Sequence, residues 1–165
     1  MAPVERVERA LVELGLPAVV TTFDASTATA QDAADAVGCE LGQIVKTLFF
    51  MADGRPMLVL AAGDRQVDTA RLARLVGVGR KKLKMGTPEQ VEEFTGFETG
   101  GVSPLGLPAD YDVVIDESLR RFERVWVAAG SRSSVFGIGL EELTGAVDGQ
   151  WGDIVRESAA PAQSP

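Results

Sequence analysis

Two periods of apolar residues divide this chain. Val4, Val7, Leu11 and Leu14 recur at helical spacing and Gly15 stops them, which predicts a helix from Pro3 to Leu14. Ala18 to Phe23 reads as a strand, and a small-residue stretch rich in hydroxyls follows. A helix is predicted over Ala30–Val37, with Thr29 as N-cap, Asp32 three residues on and Gly38 as its stop. Gln43 to Met51 is an almost unbroken apolar run, the mark of a buried strand. Ala52-Asp53-Gly54-Arg55 is a hairpin signal, and Pro56 to Ala62 is the partner strand.

Gly63-Asp64-Arg65 closes that hairpin, and Asp68 caps a helix whose apolar face is Leu72, Leu75 and Val76, ended by Gly77. Lys81 to Met85 reads as a short strand with Leu83 and Met85 inward. Thr87-Pro88-Glu89-Gln90 combines a cap, a first-turn Pro and a capping-box Gln, opening a helix that stops at Gly96. Strands are predicted at Tyr111–Asp116, Arg124–Ala129 and Ser133–Ile138, and a short helix at Leu140–Thr144. Val147 and Ile154 are expected to return to the core. Helices and strands mix without repeat or linker, so the fold class is α+β, one domain with a mixed sheet over residues 3–156. Residues 157–165 are expected to be a disordered tail on composition.

Two places break the pattern. Lys46 sits inside the apolar run, and a Lys is rarely buried without a partner, so it either snorkels to an edge or faces a polar pocket. Thr99 to Pro108 then packs Gly100, Gly101, Pro104, Gly106 and Pro108 around Ser103. Paired Gly admits positive φ and close approach, while Pro104 pushes Ser103 towards an extended conformation. Exposed amides in such a loop can receive an anion or a developing oxyanion. A surface turn is the plainer reading of the loop, as a strand-edge Lys is of Lys46.

Composition narrows the chemistry. His is absent, which excludes Ser-His-Asp and Cys-His catalysis and imidazole metal sites. Cys39, the only Cys, has no basic neighbour in sequence and reads as inert; no internal disulfide can form, which suits the cytoplasm. No metal is expected. No apolar run is long enough to span a membrane, and the acidic N-terminus is not a signal peptide. The net charge of −8 argues against DNA binding. Arg71, Arg74, Arg80, Lys81, Lys82 and Lys84 nevertheless cluster, either as a solvated face or as a phosphate-contacting patch. Asp112 and Asp116 lie nearest the loop in sequence and are candidate bases, although strand-end capping is the simpler role.

Gln43-Ile44-Val45-Lys46-Thr47-Leu48, Gly63-Asp64-Arg65, Thr95-Gly96-Phe97, Gly100-Gly101-Val102-Ser103-Pro104 and Asp116-Glu117-Ser118-Leu119 occur in that order. In this the chain resembles the YbaK-like aminoacyl-tRNA deacylases, free-standing relatives of the editing domain inserted in bacterial prolyl-tRNA synthetases. The resemblance runs from about Val4 to Val155. It implies a barrel-like mixed sheet flanked by helices, and trans-hydrolysis of the ester of mischarged tRNA, with tRNA-Pro the expected carrier. It implies no cofactor and a substrate-assisted mechanism in which the neighbouring ribose hydroxyl helps position the water. Aminoacyl-tRNA is the expected partner, and an aminoacyl-tRNA synthetase is a candidate lender of tRNA affinity.

The resemblance also assigns roles. Lys46 would anchor the terminal nucleotide or the aminoacyl group, and Gly100 and Gly101 would supply oxyanion donors. Phe23, Thr29, Thr47, Val102, Ser103, Pro104 and Ala128 would frame the aminoacyl pocket. Ala128 stands where some relatives carry Ser, which puts cysteinyl specificity in doubt, and Thr29 where some carry a bulky aromatic. The rival reading is a non-catalytic module that binds aminoacyl-tRNA or a small ligand without turnover.

Overall fold

The computed structural model describes residues 1–24 and 29–157. Five helices occur there: α1 (Pro3–Glu13), α2 (Ala30–Val37), α3 (Thr69–Val76), α4 (Pro88–Thr95) and α5 (Leu140–Val147). The strands are β1 (Val20–Thr22), β2 (Ile44–Ala52), β3 (Arg55–Ala62), β4 (Arg65–Val67), β5 (Leu83–Met85), β6 (Asp112–Asp116), β7 (Arg124–Ala128), β8 (Ser134–Gly139), β9 (Gln150–Gly152) and β10 (Val155–Glu157).

Local signals set the helix ends. Thr29 accepts from the Asp32 amide at 3.0 Å, Thr87 from the Gln90 amide at 3.1 Å, and Asp68 from the amides of Ala70 and Arg71. Gly38, Gly77 and Gly96 stop their helices in the left-handed conformation, which costs glycine little. Asp53 and Gly54, both at positive φ, turn β2 into β3.

The main sheet runs β1-β8-β7-β2-β3-β6-β9, with β5 added to β2; β10 pairs β4 in a second, two-stranded sheet. The main sheet is mixed: β2–β3 and β7–β8 are antiparallel, whereas β2–β7, β3–β6 and β6–β9 are parallel. No pairing joins β1 to β9 among the described residues, so the strand path is open-ended. Met57 to Ala62 of β3 are all buried, as expected for a central strand covered on both faces. One core layer gathers Val7, Leu11, Phe49, Phe97, Phe136 and Leu143; the other gathers Phe50, Val59, Leu72, Val114 and Ile154.

Three details differ from the sequence expectation. Met85 is 56 % exposed rather than inward, because β5 is a three-residue strand paired only to β2. α5 continues to Val147, past Thr144. Glu157 pairs with Arg65 at the end of β10, and residues 158–165 lie outside the described residues. Among the described residues no helix is long and apolar enough to cross a membrane.

Candidate active site

A gap in the sheet defines the site. On its side away from β3, β2 pairs with β7 only through Ile44 and Val45, and with β5 only through Phe50, Met51 and Ala52. Lys46 to Phe49 line the opening between them. There a cavity of about 370 Å³ forms, within the size range of small-ligand sites. Ala30 and Ala33 of α2, Trp126 and Ala128 of β7, and Val102 with Gly100 of the Gly-rich loop are among its walls. The residues of the described lining include no carboxylate, thiol or imidazole; the cations there are Lys46 and Arg132.

The predicted site residues divide. Lys46, Thr47, Thr29, Gly100, Val102 and Ala128 line the cavity. Gly101, Ser103, Pro104 and Phe23 do not. Ser103 is fully buried and its Oγ accepts the Leu105 amide at 3.0 Å, so the hydroxyl is used to turn the chain. Pro104 is buried against a separate hollow on the other side of the loop. Gly101 donates its amide to the Glu98 carbonyl and accepts the Gly130 amide, both at 2.9 Å. A Cβ on Gly101 would lie 2.8–2.9 Å from the Ser131 backbone. That Gly therefore serves close packing of the loop on the β7–β8 turn, and its N–H is already engaged. Phe23 is half-buried and its amide donates to Ser133, continuing the β1–β8 ladder. The Ser and Thr residues at 26 and 27 in the predicted wall segment lie outside the described residues.

Lys46 has a partner. Its Nζ donates to the Arg65 carbonyl at 2.6 Å. Burial pushes its pKa below the usual lysine value, and the charges of Asp116 and Asp64 oppose that shift only in part. Both acids are themselves engaged. Asp64 receives a two-pronged contact from Arg121 at 2.7 and 2.8 Å, which holds its carboxyl below the ordinary range. Asp116 is fully buried and accepts the amides of Ala62 and Ser118 and the Ser118 hydroxyl. It caps the turn after β6 and does not line the cavity, and neither does the exposed Asp112. Cys39 has its thiol pKa raised by burial and then by Glu40, which keeps it protonated and inert.

Sequence reasoning missed part of the far wall. Ser131 Oγ donates to Ser134 Oγ at 2.7 Å, and Thr22 Oγ1 lies 2.9 Å from the same oxygen, forming a short hydroxyl chain. Arg132 lies at the mouth, where its Nε donates to the Thr99 carbonyl and its amide to Glu98. A Cβ on Gly100 would meet the Arg132 side chain at 3.3 Å, so the bare glycine lets that side chain lie over the loop. The dense run Ser131-Arg132-Ser133-Ser134 between two strands was the available signal.

Comparison with known proteins agrees with this geometry. The model of the family described as the aminoacyl-tRNA editing domain matches residues 24–146. The YwhH protein of Bacillus subtilis (strain 168), itself described as uncharacterized, is 40 % identical over 126 residues, covering 76 % of this chain and 78 % of YwhH. A proline–tRNA ligase of Nitratidesulfovibrio vulgaris (Hildenborough) is 32 % identical over 135 residues, which span 80 % of this chain but only 23 % of the ligase. A crystal structure described as that of a "putative trans-editing enzyme for prolyl tRNA synthetase" superposes with a TM-score of 0.87 at 37 % identity, covering 94 % of this chain and 99 % of that one. The match spans most of the chain and includes the cavity walls from Thr29 to Val135: this protein belongs to the aminoacyl-tRNA editing domain family and is an aminoacyl-tRNA deacylase.

Proposed function

We propose that the protein acts in trans on tRNA-Pro charged with the wrong amino acid, hydrolysing the aminoacyl ester within the cavity beside β2. The observation that carries this reading is the cavity's lining: mostly apolar, closed by small residues at Ala30, Ala33 and Ala128, and without an ionisable base among the described residues. Such a lining suits a small aminoacyl group. With no carboxylate or imidazole to take the proton, the ribose hydroxyl next to the ester is the group best placed to orient the attacking water.

The cognate prolyl ester is spared on this reading by sterics against the apolar walls. Shape selection of this kind is worth about 1–3 kcal/mol per methylene. Val102 and Ala128 set that limit, and Thr29 closes the α2 side. Lys46 moves from the Arg65 carbonyl towards the incoming terminal nucleotide, which supplies a stronger, anionic acceptor. Of the paired glycines, Gly100 offers the amide without a backbone acceptor among the described residues, and it is the oxyanion donor of the loop.

The test is deacylation of alanyl-, seryl-, threonyl- and cysteinyl-tRNA-Pro with prolyl-tRNA-Pro as control, repeated on the preferred substrate with a 2′-deoxy terminal adenosine. Turnover of a mischarged ester, sparing of the prolyl ester and loss of rate on the 2′-deoxy substrate are expected. Equal rates on the 2′-deoxy and native substrates would overturn the substrate-assisted step.

A further inference from the structure

The sheet gap leaves one residue of β2 without main-chain partners. Gly63 donates its amide to the Ile44 carbonyl at 2.7 Å, which fixes the register in which Ile44, Lys46 and Leu48 turn their main-chain groups to β3. Antiparallel pairing alternates, so Val45, Thr47 and Phe49 turn theirs to the opposite edge. There Val45 meets β7, and the Phe49 carbonyl receives the Gly86 amide at 2.9 Å. Thr47 lies between β7 and β5 and is paired to neither. Its N–H and C=O face the cavity that Thr47 lines.

A second observation falls on the same residue. Thr47 Oγ1 is buried and has no hydrogen-bond partner, and it alone of the described buried side-chain oxygens and nitrogens lacks one. Buried main-chain and hydroxyl groups are rarely left unpaired, since each costs on the order of 1–3 kcal/mol. A strand edge interrupted for one residue, inside an apolar cavity, is a receptor for one residue's worth of strand.

We propose that Thr47 is the docking residue for the aminoacyl group, which pairs with it as a single added strand residue. The inference rests on the deacylase reading for the identity of the ligand. An aminoacyl ester carries one donor, its α-ammonium, and one acceptor, its ester carbonyl, at the spacing of one peptide unit. The α-ammonium donates to the Thr47 carbonyl, and the ester carbonyl accepts from the Thr47 amide. That amide then also faces the oxygen on which charge develops during hydrolysis, beside the Gly100 loop. Recognition through main-chain groups selects for the α-amino acid unit without regard to its side chain, leaving side-chain choice to the apolar walls.

The experiment is amide hydrogen exchange by NMR on the whole protein, with the non-hydrolysable 3′-alanylamido analogue of adenosine as ligand and the 3′-propionylamido analogue as its desamino control. In the free protein the Thr47 amide exchanges much faster than those of Lys46 and Leu48. Saturation with the alanyl analogue slows Thr47 exchange by about tenfold or more, and the desamino analogue binds about tenfold or more weakly. A Thr47 amide protected like its neighbours in the free protein, or unchanged at saturation, overturns the proposal. So do equal affinities for the two analogues, or no binding of the alanyl analogue at millimolar concentration. A protein that hydrolyses the ester but leaves Thr47 exchange unchanged refutes this docking alone. One that protects Thr47 without hydrolysing any ester supports the docking and refutes the hydrolysis.

Discussion

The Gly130 amide donates to the Gly101 carbonyl at 2.9 Å, tying the Gly-rich loop to the turn between β7 and β8. Both glycines are required by space. A Cβ on Gly130, whose φ is +98°, would meet the Pro3 carbonyl group at 2.8 Å, and one on Gly101 would meet the Ser131 backbone. Gly130→Ala is therefore expected to lower stability by about 2–3 kcal/mol, read in urea unfolding. Gly101→Ala displaces the loop from the cavity wall and is expected to lower kcat/KM by about a hundredfold, as misplacement near a reacting group does.

Asp116 distinguishes a structural acid from a base. It accepts three donors and is wholly buried. Asp116→Asn keeps the shape but sets an NH₂ against one of those donors, and should lower unfolding stability by about 2–3 kcal/mol. The pH–rate profile of the surviving folded enzyme should keep its acid limb. Disappearance of that limb would make Asp116 a base.

The Asp64–Arg121 pair gives the fold an acid sensitivity of known sign. Asp64 has a folded pKa below its ordinary value, chiefly through the hydrogen bonds from Arg121. The stability this contributes is complete above the ordinary aspartate pKa and is lost as pH falls through the lower, folded value. Arg121→Ala should remove that part of the acid-side loss in a series of urea melts. At neutral pH it should cost about 1 kcal/mol or less, since the pair is partly exposed.

The basic residues divide by their contacts. Arg71 pairs with Asp68 and Asp153, and Lys82 lies 3.9 Å from Asp53. Arg80, Lys81 and Lys84 are exposed, and Lys84 adjoins Met85 on the cavity rim. Replacing Lys81 and Lys84 by Glu should raise KM for aminoacyl-tRNA. It should also reduce the slope of log affinity against log salt by about 0.7–0.9 for each phosphate no longer neutralised. Hydrolysis of a minimal aminoacyl-adenosine ester should be unaffected. An unchanged slope would make this a solvated face.

The legible features were those decided locally. The Thr29, Asp68 and Thr87 caps, the glycine stops and the Asp53-Gly54 turn need only neighbouring residues, and the structure has them where the sequence placed them. The strands β4, β9 and β10 were not legible, because three residues carry no period and each is a strand only through its partner. Lys46 was visible as an anomaly, but its acceptor lies nineteen residues away on Arg65. The Gly-rich loop was recognised as special, yet which of its amides stay free depends on contacts with Glu98 and Ser131. The unpaired main chain of Thr47 follows only from the strand order, which no stretch of sequence states.

The most direct test measures hydrolysis of mischarged and correctly charged tRNA-Pro under single turnover, comparing the native protein with Lys46→Ala. A mischarged ester should be cleaved and the prolyl ester spared. A folded Lys46→Ala protein should lose about a hundredfold or more of the rate. Full activity in Lys46→Ala would contradict the site, and no cleavage of any ester by the native protein would contradict the function.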